Sequence, residues 1–263
     1  MIIFTARKIR SHMLSKNDIK TIKSLQHKKF RSQSGLFVAE GHKLVGDLYG
    51  HFHCSLLAAV GSWLQDHPHF KADRIECISR DELEKTSLLT TPQDVIALFS
   101  IPEYEFSLAD TARKGLVLAL DAIQDPGNLG TIVRIADWFG IGDIICSRDT
   151  ADIYAPKAVQ ATMGAMGRVR LHYVNLADEL SRLNGSVPVY GTLLDGDDMY
   201  SCNIGTNGII VMGNEGNGIS QEIRSLVSRR LFIPNWPKGA PTSESLNVAV
   251  ATAIICAEFR RRS

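Results

Sequence analysis

No apolar run among the 263 residues approaches the roughly 20 needed to cross a bilayer. The apolar start Met1–Phe4 is too short for the core of a signal peptide. Both absences exclude a helical membrane protein and lead to the expectation of a soluble, cytoplasmic chain. Cysteine is sparse: Cys54, Cys77, Cys146, Cys202 and Cys256 are odd in number, widely scattered and without a Cys-x-x-Cys pair. A disulfide framework is excluded, and free thiols in a reducing compartment are expected. There is no internal repeat and no low-complexity tract. With 44% hydrophobic and 22% charged residues, the chain has an ordinary globular balance and can bury a real core.

A large net charge is also lacking, since the chain carries only +1. The charge is unevenly placed, however. Residues 1–50 hold ten basic side chains (Arg7, Lys8, Arg10, Lys16, Lys20, Lys23, Lys28, Lys29, Arg31 and Lys43) against Asp18, Glu40 and Asp47. That segment is therefore +7 and the remainder −6. Such a footprint suits a phosphate backbone, and suits equally a solvated helix surface.

Organisation follows from periodicity. Up to about residue 100, helical stretches (Ile19–Gln26, His42–Tyr49, Arg80–Lys85) alternate with strand-like ones (Leu36–Ala39, Leu56–Val60, Ile75–Ile78, Val95–Phe99). This pattern predicts a small α/β domain over 1–105. A polar, irregular stretch over 106–114 reads as a linker, and a second domain spans 115–263. In the latter, Leu116–Leu120 is a continuous apolar run typical of a strand covered on both faces. Further strands are predicted at Asp143–Cys146, Val169–Tyr173, Val187–Tyr190, Ile209–Met212 and Leu231–Ile233. Helices are predicted at Leu129–Phe139, Ala155–Thr162, Ala177–Leu183, Gln221–Val227 and Leu246–Arg260. Alternating strands and helices imply a mostly parallel, doubly wound α/β sheet.

Three segments follow predicted strands, where open parallel sheets bind ligands. In the first, Asp121–Arg134, Pro126 and Gly127 make a turn and Asn128 is a suitable N-cap. Arg134 lies nearly two turns into the helix, facing a ligand or forming a surface ion pair. In the second, Val211–Ile219, Gly213, Gly216 and Gly218 permit backbone approaches closed to other residues, or simply form a turn before a helix capped by Ser220. Their order is not the dinucleotide fingerprint, and the lysine of a phosphate-binding loop is missing. The third, Ile233–Asn247, is a proline-rich loop with Ser245 as a plausible N-cap. The cluster His51-Phe-His53-Cys54 with His67 and His69 lacks a second cysteine pair and reads as a surface connection, so no metal is expected.

In this order and spacing the three segments resemble the motifs of the SpoU family of knotted SPOUT methyltransferases, over about Leu116–Phe259. Residues Ser32–Leu48, with the stretch Gly35-Leu-Phe-Val-Ala-Glu-Gly-His-Lys-Leu, resemble that family's N-terminal substrate-binding module, a ribosomal-protein-like α/β domain. The resemblance implies a deep trefoil knot, a homodimer, and transfer of a methyl group from S-adenosylmethionine to an RNA ribose 2′-hydroxyl. It implies catalytic roles for Asn128, Arg134, Glu215, Ser245 and Asn247. Main-chain contacts to the donor fall to Gly213, Ile233 and Leu246, joined by Thr192. The loop between Ile233 and Ser245 is longer than the family's, with Trp236, Pro237 and Pro241 added.

The chemistry fits these residue types. Methyl transfer is an in-line displacement that depends on positioning, and the hydroxyl's proton must leave as the bond forms. A guanidinium of pKa above about 12 is almost never neutral. Arg134 is thus either a base assisted by an RNA phosphate or an orienter of that phosphate. RNA is read largely by shape, which says structured RNA and little more; relatives with this N-terminal module favour large-subunit ribosomal RNA over transfer RNA. The competing expectations are a catalytically inactive RNA-binding protein of this fold and a transfer-RNA ribose methyltransferase. An oxidoreductase lacks its fingerprint.

Overall fold

The computed structural model describes residues 14–237, 240–241 and 245–263. Of the N-terminal basic residues, Arg7, Lys8 and Arg10 lie outside the described residues, as does the start Met1–Phe4. The chain divides into two units, one comprising 1–102 together with Tyr154–Gln160, the other Glu103–Ile153 and Ala161–Ser263.

In the first unit, the apolar segments form strands β1 (Leu36–Glu40), β2 (Cys54–Ala59), β3 (Arg74–Cys77) and β4 (Val95–Ser100). Their order is β1-β4-β2-β3, with β4 antiparallel to both neighbours and β2 parallel to β3. Helices α1 (Lys16–Ser24), α2 (Lys28–Ser34), α3 (His42–Leu48), α4 (Gly61–Asp66) and α5 (Arg80–Thr86) surround it. The starts of α1 and α5 are set by capping boxes, Ser15 with Asp18 and Ser79 with Glu82. Ile22 and Leu25 join Val38, Leu56, Leu83 and Ile96 in one apolar cluster. Phe37 packs edge-on to Phe52 at 5.2 Å and lies 5.1 Å from the Tyr154 ring, and Gln160 Nε2 donates to the Glu40 carbonyl at 3.0 Å. These contacts explain why the stretch Tyr154–Gln160, late in the chain, packs with this unit.

Arg31, counted from the sequence as part of the basic footprint, is buried and donates to the Leu25 carbonyl at 2.7 Å. Its role is to satisfy a main-chain acceptor beyond α1. Lys16, Lys20, Lys23, Lys28, Lys29 and Lys43 are exposed.

The second unit builds a six-stranded sheet from β5 (Leu116–Leu120), β6 (Asp143–Ser147), β7 (Arg170–Val174), β8 (Val189–Asp198), β9 (Gly208–Met212) and β10 (Arg229–Phe232). The order is β10-β8-β9-β5-β6-β7, with every pairing parallel. Its helices are α6 (Leu108–Lys114), α7 (Pro126–Trp138), α9 (Leu176–Ser181), α10 (Gln221–Ser225) and α11 (Val248–Arg261); most of α8 (Pro156–Thr162) lies in the stretch that belongs to the first unit. Helix α6 occupies most of the segment read from the sequence as a linker, and Leu108 and Ala112 anchor it in the core.

Alternation along the strands assigns the two faces. Val117, Ala119, Ile209 and Val211 pack under α6, α9 and α10. Tyr190, on the opposite face, meets Phe259 of α11 edge-on at 4.9 Å, and α11 packs against α7. The carboxyl-terminal end of this helix pair is pinned. Arg260 Nε donates to the Phe139 carbonyl at 2.7 Å, filling an acceptor orphaned at the end of α7. Arg262 donates to the carbonyls of Met199 (3.0 Å) and Tyr200 (2.8 Å) and to that of Cys202.

Buried Glu258 accepts from Arg261 and Arg262, and Arg261 foremost, then Arg262, pulls its carboxyl from the ordinary 4.5 down to about 2. A depressed acid contributes stability that is fully present above pH 4.5 and lost as pH falls through about 2. Glu258→Gln is therefore expected to be less stable than the parent at pH 7 in urea denaturation, with the gap shrinking toward pH 2. A gap independent of pH refutes the latch.

All five cysteines are free. Burial pushes the thiols of Cys54 and Cys256 up to about 11 and about 12, and that of Cys146 higher still, so these three are not poised as nucleophiles.

Candidate active site

Strand β5 leads through α7 to β6 on one side, whereas β9, its other neighbour, leads through α10 to β10 on the opposite side. The strand order therefore reverses between β5 and β9, and the loops leaving their carboxyl ends flank one crevice. Four buried or half-buried side chains tie those loops together. Asp121 accepts from the Ser220 N–H at 2.7 Å. Ser147 accepts from the Ala122 N–H at 2.8 Å, and Thr150 donates to the Leu120 carbonyl at 3.1 Å. Asn214 Nδ2 donates to the Ala122 carbonyl at 2.9 Å, while its Oδ1 accepts from the N–H groups of Gly216 (2.9 Å) and Asn217 (3.1 Å). None of these four was singled out from sequence. The signals were a polar residue ending an apolar strand, for Asp121, and an Asn able to fold its own turn, for Asn214.

The glycine loop closes on itself, because Asn214 and Gly218 exchange main-chain hydrogen bonds at 3.0 and 2.8 Å. Gly213 is obligatory for that closure: a Cβ there would lie 2.3 Å from Gly218 C and from Ile219 N. Glu215 stands within this loop.

Helix α7 begins earlier than its periodicity suggests. Its N-cap is Asp125, not Asn128: Asp125 Oδ1 accepts the Asn128 N–H at 2.8 Å, and Pro126 occupies the first turn. The Asn128 side chain is thereby left for other work. Its Nδ2 donates to Glu215 Oε1, and its Oδ1 accepts from Asn247 Nδ2 at 3.0 Å. Asn247, rather than Ser245, caps α11, its Oδ1 accepting from the N–H groups of Ala249 (3.0 Å) and Val250 (3.3 Å). One hydrogen-bond chain thus runs from Glu215 through Asn128 to Asn247, joining all three motif segments. Ser245 is exposed, two residues before this cap.

Arg134 is not part of that chain. It is exposed on α7, about 9 Å along the axis from Asn128 and roughly a third of a turn round. Among the described residues it forms no hydrogen bond or ion pair. Glu215 anchors the Asn128 amide and makes no hydrogen bond or ion pair with Arg134.

The positions expected to hold the donor lie along the same edge. Strand β8 pairs Gly191 with Arg230 but Asp197 with Leu231, so residues 192–196 bulge out beside the end of β9. Thr192, at the bulge's start, donates to the Val211 carbonyl at 3.0 Å. Asp195 accepts from Arg224 and, at 3.2 Å, from Arg230, fastening the bulge. Gly213 and Ile233 follow β9 and β10 directly, and Leu246 precedes the Asn247 cap. Among the described residues, the main-chain N–H and C=O groups of Gly213, Ile233 and Leu246 take no hydrogen bond. Unspent main-chain donors and acceptors at a sheet's ligand-binding edge suit a small polar ligand. His53 pairs with Asp73 at 2.8 Å, Cys54 is buried, and no three potential ligands cluster among the described residues.

An all-parallel sheet covered on both faces, with its glycine loop and polar chain at the reversal of strand order, defines a doubly wound α/β ligand-binding domain joined to a smaller α/β unit. Residues 115–257 match the SpoU rRNA Methylase family model and residues 16–97 the MRM3-like substrate binding domain. The chain belongs to the SpoU rRNA methylase family. It is 31% identical over 253 residues to the Bacillus subtilis 23S rRNA (guanosine(2553)-2′-O)-methyltransferase RlmP, covering 92% of this chain and 95% of the relative. It is 30% identical over 196 residues to the Neisseria meningitidis 23S rRNA (guanosine-2′-O-)-methyltransferase RlmB, covering 72% and 77%. Among solved structures, a TrmH-family protein from Porphyromonas gingivalis superposes with a TM-score of 0.87 at 40% identity, covering 96% of this chain and all of that one. An AdoMet-bound rRNA methyltransferase from Sinorhizobium meliloti gives 0.81 at 29%, covering 96% and 97%.

Proposed function

We propose that this protein transfers a methyl group from S-adenosylmethionine to a ribose 2′-hydroxyl of large-subunit ribosomal RNA. The observation that carries this reading is the hydrogen-bond chain Glu215–Asn128–Asn247 at the ligand-binding edge of a SpoU-family sheet. The main-chain groups of Gly213, Ile233 and Leu246, with Thr192 beside them, hold the methyl donor. When bound, the donor supplies a sulfonium methyl already activated for displacement.

The protein's own part is placement. Glu215 fixes the Asn128 amide, and Asn128 fixes Asn247, so the polar edge facing the ribose is preorganised before RNA arrives. Ser245 adds a hydroxyl next to this edge. Arg134, without a protein partner among the described residues, orients the RNA phosphate next to the reacting ribose. As the new carbon–oxygen bond forms, the methyl's carbon–sulfur bond breaks, the former sulfonium leaves as a neutral thioether, and the hydroxyl proton passes to solvent.

RNA is engaged by the first unit, whose exposed Lys16, Lys20, Lys23, Lys28 and Lys29 present positive charge from α1 and α2. The second unit carries the family's trefoil knot, a reading its all-parallel strand order supports. The protein works as a homodimer: Trp138 on α7 is 86% exposed and Val250 on α11 is 49% exposed, an apolar surface a second copy covers. Light scattering is expected to give a dimer, and Trp138→Glu a monomer; a monomeric parent protein refutes this. No helix among the described residues is long and apolar enough to cross a membrane, and the free thiols suit the cytoplasm.

The test of the reaction is transfer of labelled methyl from S-adenosylmethionine to total RNA from cells lacking this protein. Label recovered as 2′-O-methylribose in large-subunit RNA is expected. Label confined to transfer RNA would move the substrate, and donor binding without transfer to any RNA would make the protein an RNA-binding relative without catalysis.

A further inference from the structure

The side chain of Trp236 has no place in the site described above, and burial does not explain it either: the residue is 85% exposed. It sits three residues beyond Ile233, in the loop joining β10 to the Asn247 cap of α11, so both ends of its loop belong to the candidate active site. Two hydrogen bonds tie described residues beside it. Asn235 Nδ2 donates to the Ala240 carbonyl at 2.9 Å and the Ala240 N–H donates to the Pro237 carbonyl at 3.0 Å. Pro234 and Pro237 flank the indole and fix the backbone on either side. A large aromatic held out in water between two prolines is available to a partner, and the φ fixed by each proline limits the backbone freedom lost on binding.

We infer that Trp236 is a stacking platform for an unpaired nucleobase of the substrate RNA next to the nucleotide that is methylated. This rests on the reading of the protein as an RNA ribose methyltransferase and names a residue that sets its substrate recognition. The argument is chemical. To reach a 2′-hydroxyl, the enzyme must hold the target nucleotide against the sheet edge, and bases splayed from a loop or bulge lose their stacking neighbours. An indole restores that stack without reading base identity, since every base presents a π-face. Polar side chains of the Glu215–Asn128–Asn247 chain are spent on one another and on the α11 cap, so they offer a base no flat apolar surface. Trp236 does.

The test compares the full-length protein with Trp236→Ala and Trp236→Phe on large-subunit RNA from cells lacking this protein. Trp236→Ala is expected to raise KM for RNA about tenfold or more, the loss of a base–aromatic stack. Its Kd for S-adenosylmethionine should stay within about twofold of the parent's, and Trp236→Phe should recover most of the loss. Indole emission of the parent should be quenched on adding the RNA, and that quenching should be absent in Trp236→Phe. An unchanged RNA KM in Trp236→Ala overturns the inference, as does a weakened donor Kd with RNA KM intact, which would make Trp236 part of the donor pocket. Conversion of a dimer to a monomer by Trp236→Ala overturns it too, by assigning the indole to an interface between copies. If the parent itself transfers no methyl while RNA still quenches the indole, the stack stands and the catalytic reading fails instead.

Discussion

Arg134→Ala is expected to lower kcat for RNA methylation by a factor of about 100 or more, the order lost when a group that positions the reacting centre is removed. The fold should not notice. Arg134 is exposed and forms no hydrogen bond or ion pair among the described residues, so a change in stability beyond about 0.5 kcal/mol is not expected. Donor binding should survive as well, because the main-chain groups assigned to the donor lie on Gly213, Ile233 and Leu246 and none depends on the guanidinium. Arg134→Lys should recover little: a lysine keeps the charge but not the planar fork that holds a phosphate by two bonds. The measurement is single-turnover methyl transfer with donor Kd taken on the same preparations. Near-parental transfer in Arg134→Ala would remove the residue from the mechanism. A weakened donor Kd with unchanged single-turnover rate would reassign it to donor binding.

Gly213→Ala is expected to abolish donor binding and to destabilise the second unit. The added Cβ would sit 2.3 Å from Gly218 C and Ile219 N and 2.5 Å from Gly218 O. All three are main-chain atoms, so no side chain can rotate away and the loop closure between Asn214 and Gly218 must open. Overpacking of this kind costs about 1–3 kcal/mol, or roughly 2–4 °C of Tm per kcal/mol for a protein of this size. The functional loss should exceed what the stability change accounts for, because opening the loop moves Glu215 away from Asn128. Gly216→Ala is the control: its Cβ would meet only the Asn214 Oδ1, at an ordinary 3.5 Å. Donor titration and thermal melts on both variants check this, and normal donor affinity in Gly213→Ala would show that the loop closure is dispensable.

Much of the framework is legible along the chain because its causes are local. Leu116–Leu120 and Gly208–Met212 are strands buried on both faces, and their continuous apolar runs show it. The glycines after β9 mark a loop where backbones approach closely, and Gly213 bears this out in distances. Errors at element ends came from reading periodicity ahead of capping: Asp125 followed by Pro126 starts α7 before the first apolar residue of its stripe, and Asn247 starts α11 after Leu246. The short helices α2, α4 and α6 escaped notice because one or two turns carry too little periodicity to separate from a polar loop.

Along the chain alone, the strands, the longer helices, the three motif segments and the residue types each supplies are legible, since hydrogen-bonding propensity and apolar spacing act over a few residues. Which of those residues meet is set by packing between distant segments. Asn128 reaches Glu215 across 87 positions and Asn247 across 119, and both contacts exist because the strand order places β5 beside β9 and packs α11 against α7. Packing within the first unit buries Arg31 inside a basic segment, and packing within the second leaves Arg134 and Trp236 in solvent. No local pattern distinguishes those outcomes, because burial is set by what lies on the far side of a surface, and that comes from distant parts of the chain.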